Sequence, residues 1–171
     1  MGSGRVVICN TSPLINFAQI DRLDLLGDLF GEITVPPAVL DELRAKRDIF
    51  PKATAAADSP LLRVAEPRNV QVVSTLTYEL HAGESECLAL AINQPGAVLL
   101  IVDDLAARAV ASHHQLAFTG TIGCLSLAKQ RGLISRVGPL LHQMRQDARF
   151  WLNDSFVNSM LTELNERDSL S

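Results

Sequence analysis

The chain has 171 residues, of which 47% are hydrophobic and 20% charged, and its formal net charge is −4 at pH 7; these values suit one soluble globular domain with a sizeable core. The negative charge excludes a protein that coats polyanions through its net charge, but not a nuclease, because metal-holding carboxylates add negative charge inside an otherwise basic groove. No apolar run reaches membrane-spanning length, so neither a transmembrane segment nor a signal peptide is expected.

Short apolar runs alternate with segments of helical spacing along the first 120 residues. This alternation predicts an α/β fold, a three-layer α/β/α sandwich with a mostly parallel central sheet. The segment 47–69 is the least regular, and a helix plus a loop is expected there. The predicted strands are 5–9, 32–36, 70–74, 97–102 and 115–120. The predicted helices between them are 12–30, 37–46, 83–94 and 105–115.

The rest of the chain has helical patterns at 121–133, 137–148 and 153–166, and Asn153 or Asp154 is expected to cap the last of these helices. We therefore predict a single domain over residues 1–171. Its core covers about residues 5–135, and a helical C-terminal extension covers about residues 136–168.

Three cysteines, Cys9, Cys87 and Cys124, are widely spaced, and each lies in an apolar segment. An odd number of cysteines in apolar surroundings favours buried free thiols over disulfides or a zinc site. We therefore expect a protein of the reducing cytoplasm.

Polar residues follow three of the predicted strands. Asn10 follows the first strand, Asp103 and Asp104 follow the fourth, and Thr121 follows the fifth. In open parallel sheets, ligands bind outside the carboxyl ends of the strands. We therefore expect these oxygen-bearing side chains to converge at one edge of the sheet.

Two glutamates on predicted helices extend this group. At 100° per residue, Glu42 lies at the flank of the apolar stripe of helix 37–46. In helix 83–94, Glu84 falls within the apolar stripe, whereas Glu86 points the opposite way. A carboxylate on a buried helix face is costly unless its charge is compensated. The direction of Glu84 therefore indicates a compensating partner.

A cluster of carboxylates suits a hard divalent cation such as Mg²⁺ or Mn²⁺, which can activate a water and stabilise an in-line displacement at phosphorus. Simpler interpretations exist for each residue taken alone. Glu84 suits the first turn of a helix, and Glu42 can be a solvated surface residue. One of Asp103 and Asp104 can cap helix 105–115, and Asp104 can pair with Arg108 four residues later.

Five stretches together resemble the PIN-domain nuclease superfamily, which includes the VapC-like toxins of prokaryotic toxin–antitoxin pairs. The chain looks most like a subfamily described only as predicted nucleic-acid-binding proteins. The stretches occupy most of residues 5–135 and read VVICNTSPLINFAQI, VPPAVLDELRAK, LHAGESECLALA, LLIVDDLAARAVA and FTGTIGCLSLAKQRGLI. The later RFWLNDSFVNSML also fits the family pattern.

The resemblance implies a metal-dependent ribonuclease with the PIN-like sandwich fold. Its metal site, for Mg²⁺ or Mn²⁺, would use Glu42, Glu84, one or both of Asp103 and Asp104, and the residue at position 10. Thr121 matches a hydroxyl residue near the family's site. The implied partners are RNA, a cognate antitoxin protein and a second copy of the chain in a homodimer, with no membrane involved.

The chain departs from the family pattern at position 10, where the resemblance leads us to expect an aspartate and the sequence has Asn10. An amide oxygen can coordinate a metal but brings no charge, so metal affinity is expected to fall. Three explanations stay open: a weakened natural nuclease, an inactive binding descendant, and a chain altered to silence a toxic activity.

Substrate contacts are expected from the residues around these acids. Thr11 and Ser12 directly follow Asn10. Lys46 and Arg47 follow Glu42 on its helix, and Arg108 follows the aspartate pair, so all three cations can line a phosphate path. A solvated basic face is the simpler alternative for these cations.

Two other classes of protein compete with a ribonuclease. The first is a catalytically inactive PIN module, which would have the same fold and bind RNA or an antitoxin but would not cleave RNA. A phospho-acceptor receiver domain also places carboxylates at strand ends, but it needs its acidic pair after the first strand and a lysine after the last. Here the acidic pair follows the fourth predicted strand, and the first strand ends at Asn10.

Overall fold

The computed structural model describes residues 4–166, so the predictions for residues 1–3 and for the end of the C-terminal extension at 167–168 lie outside the described residues. The strands are β1 (Val6–Cys9), β2 (Ile33–Val35), β3 (Leu62–Val64), β4 (Val98–Ile101) and β5 (Ala117–Thr119). The first five helices are α1 (Thr11–Gln19), α2 (Asp24–Phe30), α3 (Pro37–Ala45), α4 (Ala53–Ala57) and α5 (Val70–Leu76). They are followed by α6 (Ala82–Ile92), α7 (Leu105–His113), α8 (Thr121–Gln130), α9 (Gly138–Asp147) and α10 (Asp154–Glu163).

The five strands form one parallel sheet in the order β3-β2-β1-β4-β5. The strand order reverses at β1, which pairs with β2 on one side and with β4 on the other. Nearly every side chain of β1 and β4 is buried, as expected for central strands covered on both faces. The predicted α/β/α sandwich with a parallel sheet is confirmed.

The apolar core is continuous from the sheet to the last two helices. Its fully buried members include Phe17 of α1, Ile8 of β1, Ile101 of β4 and Met144 of α9. Val157, Met160 and Leu161 of α10 are also buried. The C-terminal helices therefore pack on the same core as the sheet. The three cysteines are free and buried, as predicted.

The predicted strand at 70–74 is wrong, because this segment forms helix α5. The Asn69 side chain caps the helix by accepting hydrogen bonds at 3.1 Å from the N–H groups of Gln71 and Val72. Its partly buried residues, Val72, Val73 and Leu76, have helical spacing and leave the rest of the helix in solvent. The valine-rich run suggested a strand. The β-propensity of valine depends on context, however, and here the Asn69 cap favours a helix.

The third strand lies instead within the irregular segment 47–69, after the short helix α4. β3 is an edge strand, paired with β2 through Ile33 and Leu62, and its other two residues are exposed. An edge strand needs no continuous apolar run, so the sequence pattern gave no signal for it.

The predicted helix at 12–30 is also wrong as one element. It is divided into α1 and α2, and Asp21 between them has a left-handed φ of 56°. The other helices agree with prediction to within a few residues, and Asn153 caps α10 as expected. No helix among residues 4–166 combines the length and apolarity needed to cross a membrane.

Candidate active site

The carboxyl ends of the three strands β1, β4 and β5 bring the predicted polar residues to one edge of the sheet. The Asn10 N–H donates to the carbonyl of Ile101 at 3.0 Å, so β1 and β4 end side by side. The Val102 N–H donates to the carbonyl of Thr119 at 2.8 Å, which brings in the end of β5. This edge is next to the point where the strand order reverses, the usual ligand site of such sheets.

Asp103 is held from three directions. Its Oδ1 accepts from the N–H of Thr121 at 2.8 Å, and its Oδ2 accepts from the Thr121 hydroxyl at 2.7 Å and from Nδ2 of Asn16 at 3.3 Å. The Arg108 guanidinium lies 3.9 Å from Oδ1. Burial raises the pKa of Asp103, although the Thr121 hydrogen bonds and Arg108 oppose this shift. Asp103 is therefore a fixed, largely buried carboxylate.

Asn16 was not predicted as a site residue. Its Nδ2 bridges Asp103 and the hydroxyl of Thr121, the latter at 3.0 Å, and its side chain is buried. The signal was present in the sequence as a lone amide inside the apolar stretch SPLINFAQI. A buried amide of this kind needs hydrogen-bond partners, and here the partners belong to the site.

Asp104 has a different environment from Asp103. It is the N-cap of α7, and its Oδ1 accepts from the N–H of Ala107 at 2.8 Å. Its side chain is exposed at the mouth of the site. The two adjacent aspartates therefore differ in position: Asp103 is largely buried beside Thr121, and Asp104 caps α7.

Glu84 is the third residue of α6, and its Oε2 accepts from the N–H of His81 at 3.0 Å. Burial raises the pKa of Glu84, and the hydrogen bond from His81 opposes this. The negative charges of Asp104 and Glu42 raise the pKa further. Three carboxylates contributed by α3, α6 and the end of β4 are thus within electrostatic reach of one another.

Glu42 of α3 is fixed by two neighbouring elements. It accepts a short hydrogen bond from the Thr11 hydroxyl, and its Oε1 accepts from the N–H of Gly83 at 2.9 Å. A Cβ at position 83 would lie 2.7 Å from Oε2 of Glu42. The absence of a side chain at Gly83 therefore allows α3 and α6 to meet through this carboxylate. Glu86, predicted to face away from Glu84, is half-buried and accepts from the N–H of Ala38 at 2.9 Å.

A cleft of about 850 Å³ opens on this group. Of the predicted site residues, it is lined by Glu84, Asp103, Asp104, Ser12, Lys46 and Arg108. Four others do not line it, namely Asn10, Thr11, Glu42 and Thr121. The hydroxyls of Thr11 and Thr121 donate to the carboxylates of Glu42 and Asp103. Arg47 also lies outside the lining, where it is exposed and 3.7 Å from Asp48.

The side-chain oxygens around the cleft are the atoms that could coordinate a metal ion. Within residues 4–166, no three His, Cys, Asp or Glu side chains form a ready-made metal cluster. The donors that face the cleft are carboxylate oxygens, the ligands of Mg²⁺ and Mn²⁺, and Mg²⁺ commonly uses one or two carboxylates and keeps several waters. The buried Oδ1 of Asn10 has no hydrogen-bond partner among the described residues. The donor set therefore fits a hard divalent cation.

The fold and this edge define a class of protein: an α/β/α domain with an acidic cleft at the carboxyl end of a parallel sheet. The sequence matches the PIN-domain family DUF3368 over residues 6–166. The chain belongs to this PIN-domain family and has its nuclease-like fold. PIN domains typically bind nucleic acid and generally use divalent metals. No curated protein matches the sequence.

Proposed function

We propose that the protein is a Mg²⁺- or Mn²⁺-dependent ribonuclease that hydrolyses RNA phosphodiesters in the cytoplasm. The observation that carries the proposal is the shared cleft of Glu84, Asp103 and Asp104, which also contains the cations Lys46 and Arg108. A carboxylate group beside cations suits a phosphodiester whose charge is shared between a metal and basic side chains.

Five side chains would hold the metal in this proposal, namely Glu84, Asp103, Asp104, Glu42 and Asn10. When bound, the metal supplies an activated water and stabilises the charge of the in-line displacement. Other residues position the carboxylates. Thr121 and Asn16 orient Asp103, and Thr11 with the Gly83 N–H orients Glu42.

The cations and one hydroxyl of the cleft would bind the substrate. Arg108 is oriented by its Nε, which donates to the carbonyl of Val102 at 2.8 Å, and its guanidinium lines the cleft. Ser12 also lines the cleft, whereas Thr11 and Thr121 support carboxylates. We therefore assign phosphate contacts to Lys46, Arg108 and Ser12, and supporting roles to Thr11 and Thr121.

The proposal extends to the toxin of a toxin–antitoxin pair, with an antitoxin and a second copy of the chain as partners. Its support is the PIN-domain family together with the resemblance to VapC-like toxins. An antitoxin that covered the cleft would compete with RNA, so added antitoxin should stop cleavage.

The test of the nuclease proposal is RNA cleavage by the wild type and by Asn10→Asp in a Mn²⁺ titration. Mn²⁺ should support cleavage and EDTA should stop it. Asn10→Asp adds a charge beside the other ligands and should reach half-maximal rate at roughly tenfold lower Mn²⁺ concentration. The control is Asn158→Asp, an exposed position of α10 that does not line the cleft, which should behave like the wild type.

The second candidate function is an inactive PIN module that binds RNA or an antitoxin, and the uncharged Asn10 favours it. Failure of both the wild type and Asn10→Asp to bind Mn²⁺ or cut RNA would support this candidate. Cleavage by Asn10→Asp alone would instead identify a nuclease scaffold that carries one inactivating residue.

Charge reversal at two adjacent cations provides a matched test of the phosphate path. Lys46 lines the cleft, whereas its neighbour Arg47 lies outside it beside Asp48. Lys46→Glu should weaken RNA binding about tenfold and reduce its salt dependence by about one phosphate contact. Arg47→Glu should have a much smaller effect. Equal effects of the two reversals on RNA affinity across a salt series would contradict this path.

A further inference from the structure

The cleft has a second wall, formed by residues 148–153 between α9 and α10 together with Phe156. This wall contains large exposed apolar side chains. Trp151 is 76% exposed and Phe156 is 53% exposed. Exposed aromatic surface in a cleft that also carries a few charged groups often marks a ligand-binding site. The nuclease chemistry described above does not require either residue.

The backbone of this wall is anchored on both sides of Trp151. The N–H of Phe150 donates to the carbonyl of Met144 at 3.2 Å, and Arg145 donates to the carbonyl of Leu152 at 3.4 Å. Phe150 and Leu152 are partly buried and pack against the core. Trp151 therefore remains at the surface although both of its neighbours pack inward. An exposed tryptophan on a fixed backbone can bind a ligand with little loss of conformational entropy.

The charges of the same cleft favour a nucleic acid over an apolar peptide. Lys46, Arg108 and Arg149 all line it. Arg149 lies over the ring of Phe50, with its guanidinium carbon 5.9 Å from the ring centroid. An RNA strand complements the cations, the aromatic rings and the carboxylates of the cleft. Its phosphates face the cations, its bases stack on the aromatic rings, and its reacting phosphodiester lies at the carboxylates. An apolar peptide would offer these cations no acceptor.

We propose that Trp151, with Phe156 in the same wall, is a stacking site for an unpaired base of the RNA strand bound in the acidic cleft. This inference rests on the proposed function and identifies where an unpaired base of its substrate binds. A base in a duplex has both faces covered by its neighbours, so it cannot stack on an indole without leaving the helix. Trp151 binds the substrate beside the scissile position and takes no part in the chemical step.

Trp151 is the only tryptophan of the chain, so its fluorescence reports on this site directly. We would titrate the protein with a single-stranded RNA oligonucleotide in EDTA, which prevents cleavage, and follow the emission. The single strand should quench it. A duplex of the same sequence and an abasic oligonucleotide of the same length should quench it much less, because neither offers a free base face.

Variants separate stacking from charge. Trp151→Ala should weaken binding of labelled RNA about tenfold, whereas Trp151→Phe should retain most of the affinity. The salt dependence should not change in either variant, because the same phosphates are neutralised. The control is Tyr78→Ala, which removes an aromatic ring that is 88% exposed and does not line the cleft. Its affinity should equal that of the wild type.

The outcomes distinguish this inference from the function on which it rests. RNA binding without a change in emission, and with equal affinity for Trp151→Ala, would overturn the stacking site and leave the nuclease proposal intact. Equal quenching by the abasic strand would also overturn it. If the wild type binds no RNA while Mn²⁺-dependent cleavage is also absent, both proposals fail.

Discussion

Replacement of Glu84 by glutamine should lower the rate of Mn²⁺-dependent RNA cleavage by about 10²-fold or more, while it stabilises the metal-free protein. Both effects have one cause. Glu84 is a partly buried carboxylate that lies within reach of the charges of Asp104 and Glu42. Without a cation this arrangement is unfavourable, and with one it becomes a binding site. Glutamine keeps an oxygen that accepts from the His81 N–H, so the helix cap is retained.

The pH dependence of stability follows from the raised pKa of Glu84, which burial and the neighbouring carboxylates cause. A carboxyl group whose pKa is higher in the folded state binds a proton more readily when folded. The ionised group therefore destabilises the fold above its folded-state pKa, and this cost disappears as the pH falls below its unfolded value. The Glu84→Gln variant has no carboxylate to ionise and so avoids this cost. It should therefore be more stable than the wild type at pH 7 and equally stable in acid.

RNA cleavage in Mn²⁺ measures the effect on the rate, and thermal unfolding in EDTA and in Mn²⁺ measures stability and metal binding. Mn²⁺ should raise the Tm of the wild type and leave that of Glu84→Gln nearly unchanged. The control is Glu79→Gln, since Glu79 is an exposed carboxylate shortly before α6. An equal Mn²⁺-induced increase in Tm for wild type and Glu84→Gln would exclude Glu84 as a ligand. A lower Tm of the variant in EDTA would show that Glu84 stabilises the fold.

Of the substitutions proposed here, removal of the Glu166 carboxylate should destabilise the fold most. Glu166 is only 3% exposed, and it accepts from Lys129 Nζ at 2.7 Å and from the N–H groups of Val137 and Gly138 at 2.8 Å. It therefore joins the end of α10 to α8 and to the start of α9. Glu166→Ala leaves the N–H groups of Val137 and Gly138 without an acceptor and Lys129 with the Leu164 carbonyl alone, and it should reduce the free energy of unfolding by about 3 kcal/mol.

The same contacts determine a pH effect. Burial alone would raise the pKa of Glu166, but the hydrogen bonds from Lys129, Gly138 and Val137 outweigh it and lower the pKa below its ordinary value of 4.5. The stabilisation is therefore complete above pH 4.5 and is lost as the pH falls through the lower folded-state value. Urea unfolding from pH 7 to pH 3 should show the wild type and Glu166→Ala converging in acid.

The exposed Glu163 near the end of α10 provides the control for this measurement. Glu163→Ala should change stability by less than about 0.5 kcal/mol. A Glu166→Ala protein as stable as Glu163→Ala would mean that α10 is not held by this carboxylate.

The sequence predicted the central strands and the edge strand β5, but it did not predict the other edge strand, β3. β1 and β4 are buried on both faces, so their composition had to be apolar, and both were found. β3 at the edge needs little apolar surface, and the valines of α5 imitate a strand, so these two elements were misassigned. The helix cap supplied by Asn69 was the local feature that could have corrected the second error.

Local sequence patterns indicated which residues lie at the candidate site, but not the hydrogen bonds that join them. The position of Glu84 on a helix face and of Asp103 after a strand follow from periodicity, which depends only on nearby residues. Asn16 is separated from Asp103 by 87 residues and from Thr121 by 105. No local pattern relates positions that far apart, so this bridge was missed. The wall that carries Trp151 was missed for the same reason.

The sequence by itself determined the α/β class, the central strands and the acidic residues at the strand ends. These features depend on periodicity and on chain-local spacing. The tertiary structure decided which carboxylates share a cleft, which of Asp103 and Asp104 is buried, and that Lys46 lines the cleft while Arg47 does not. Those outcomes depend on how elements distant in sequence pack together, and the packing is determined by the burial of the whole core.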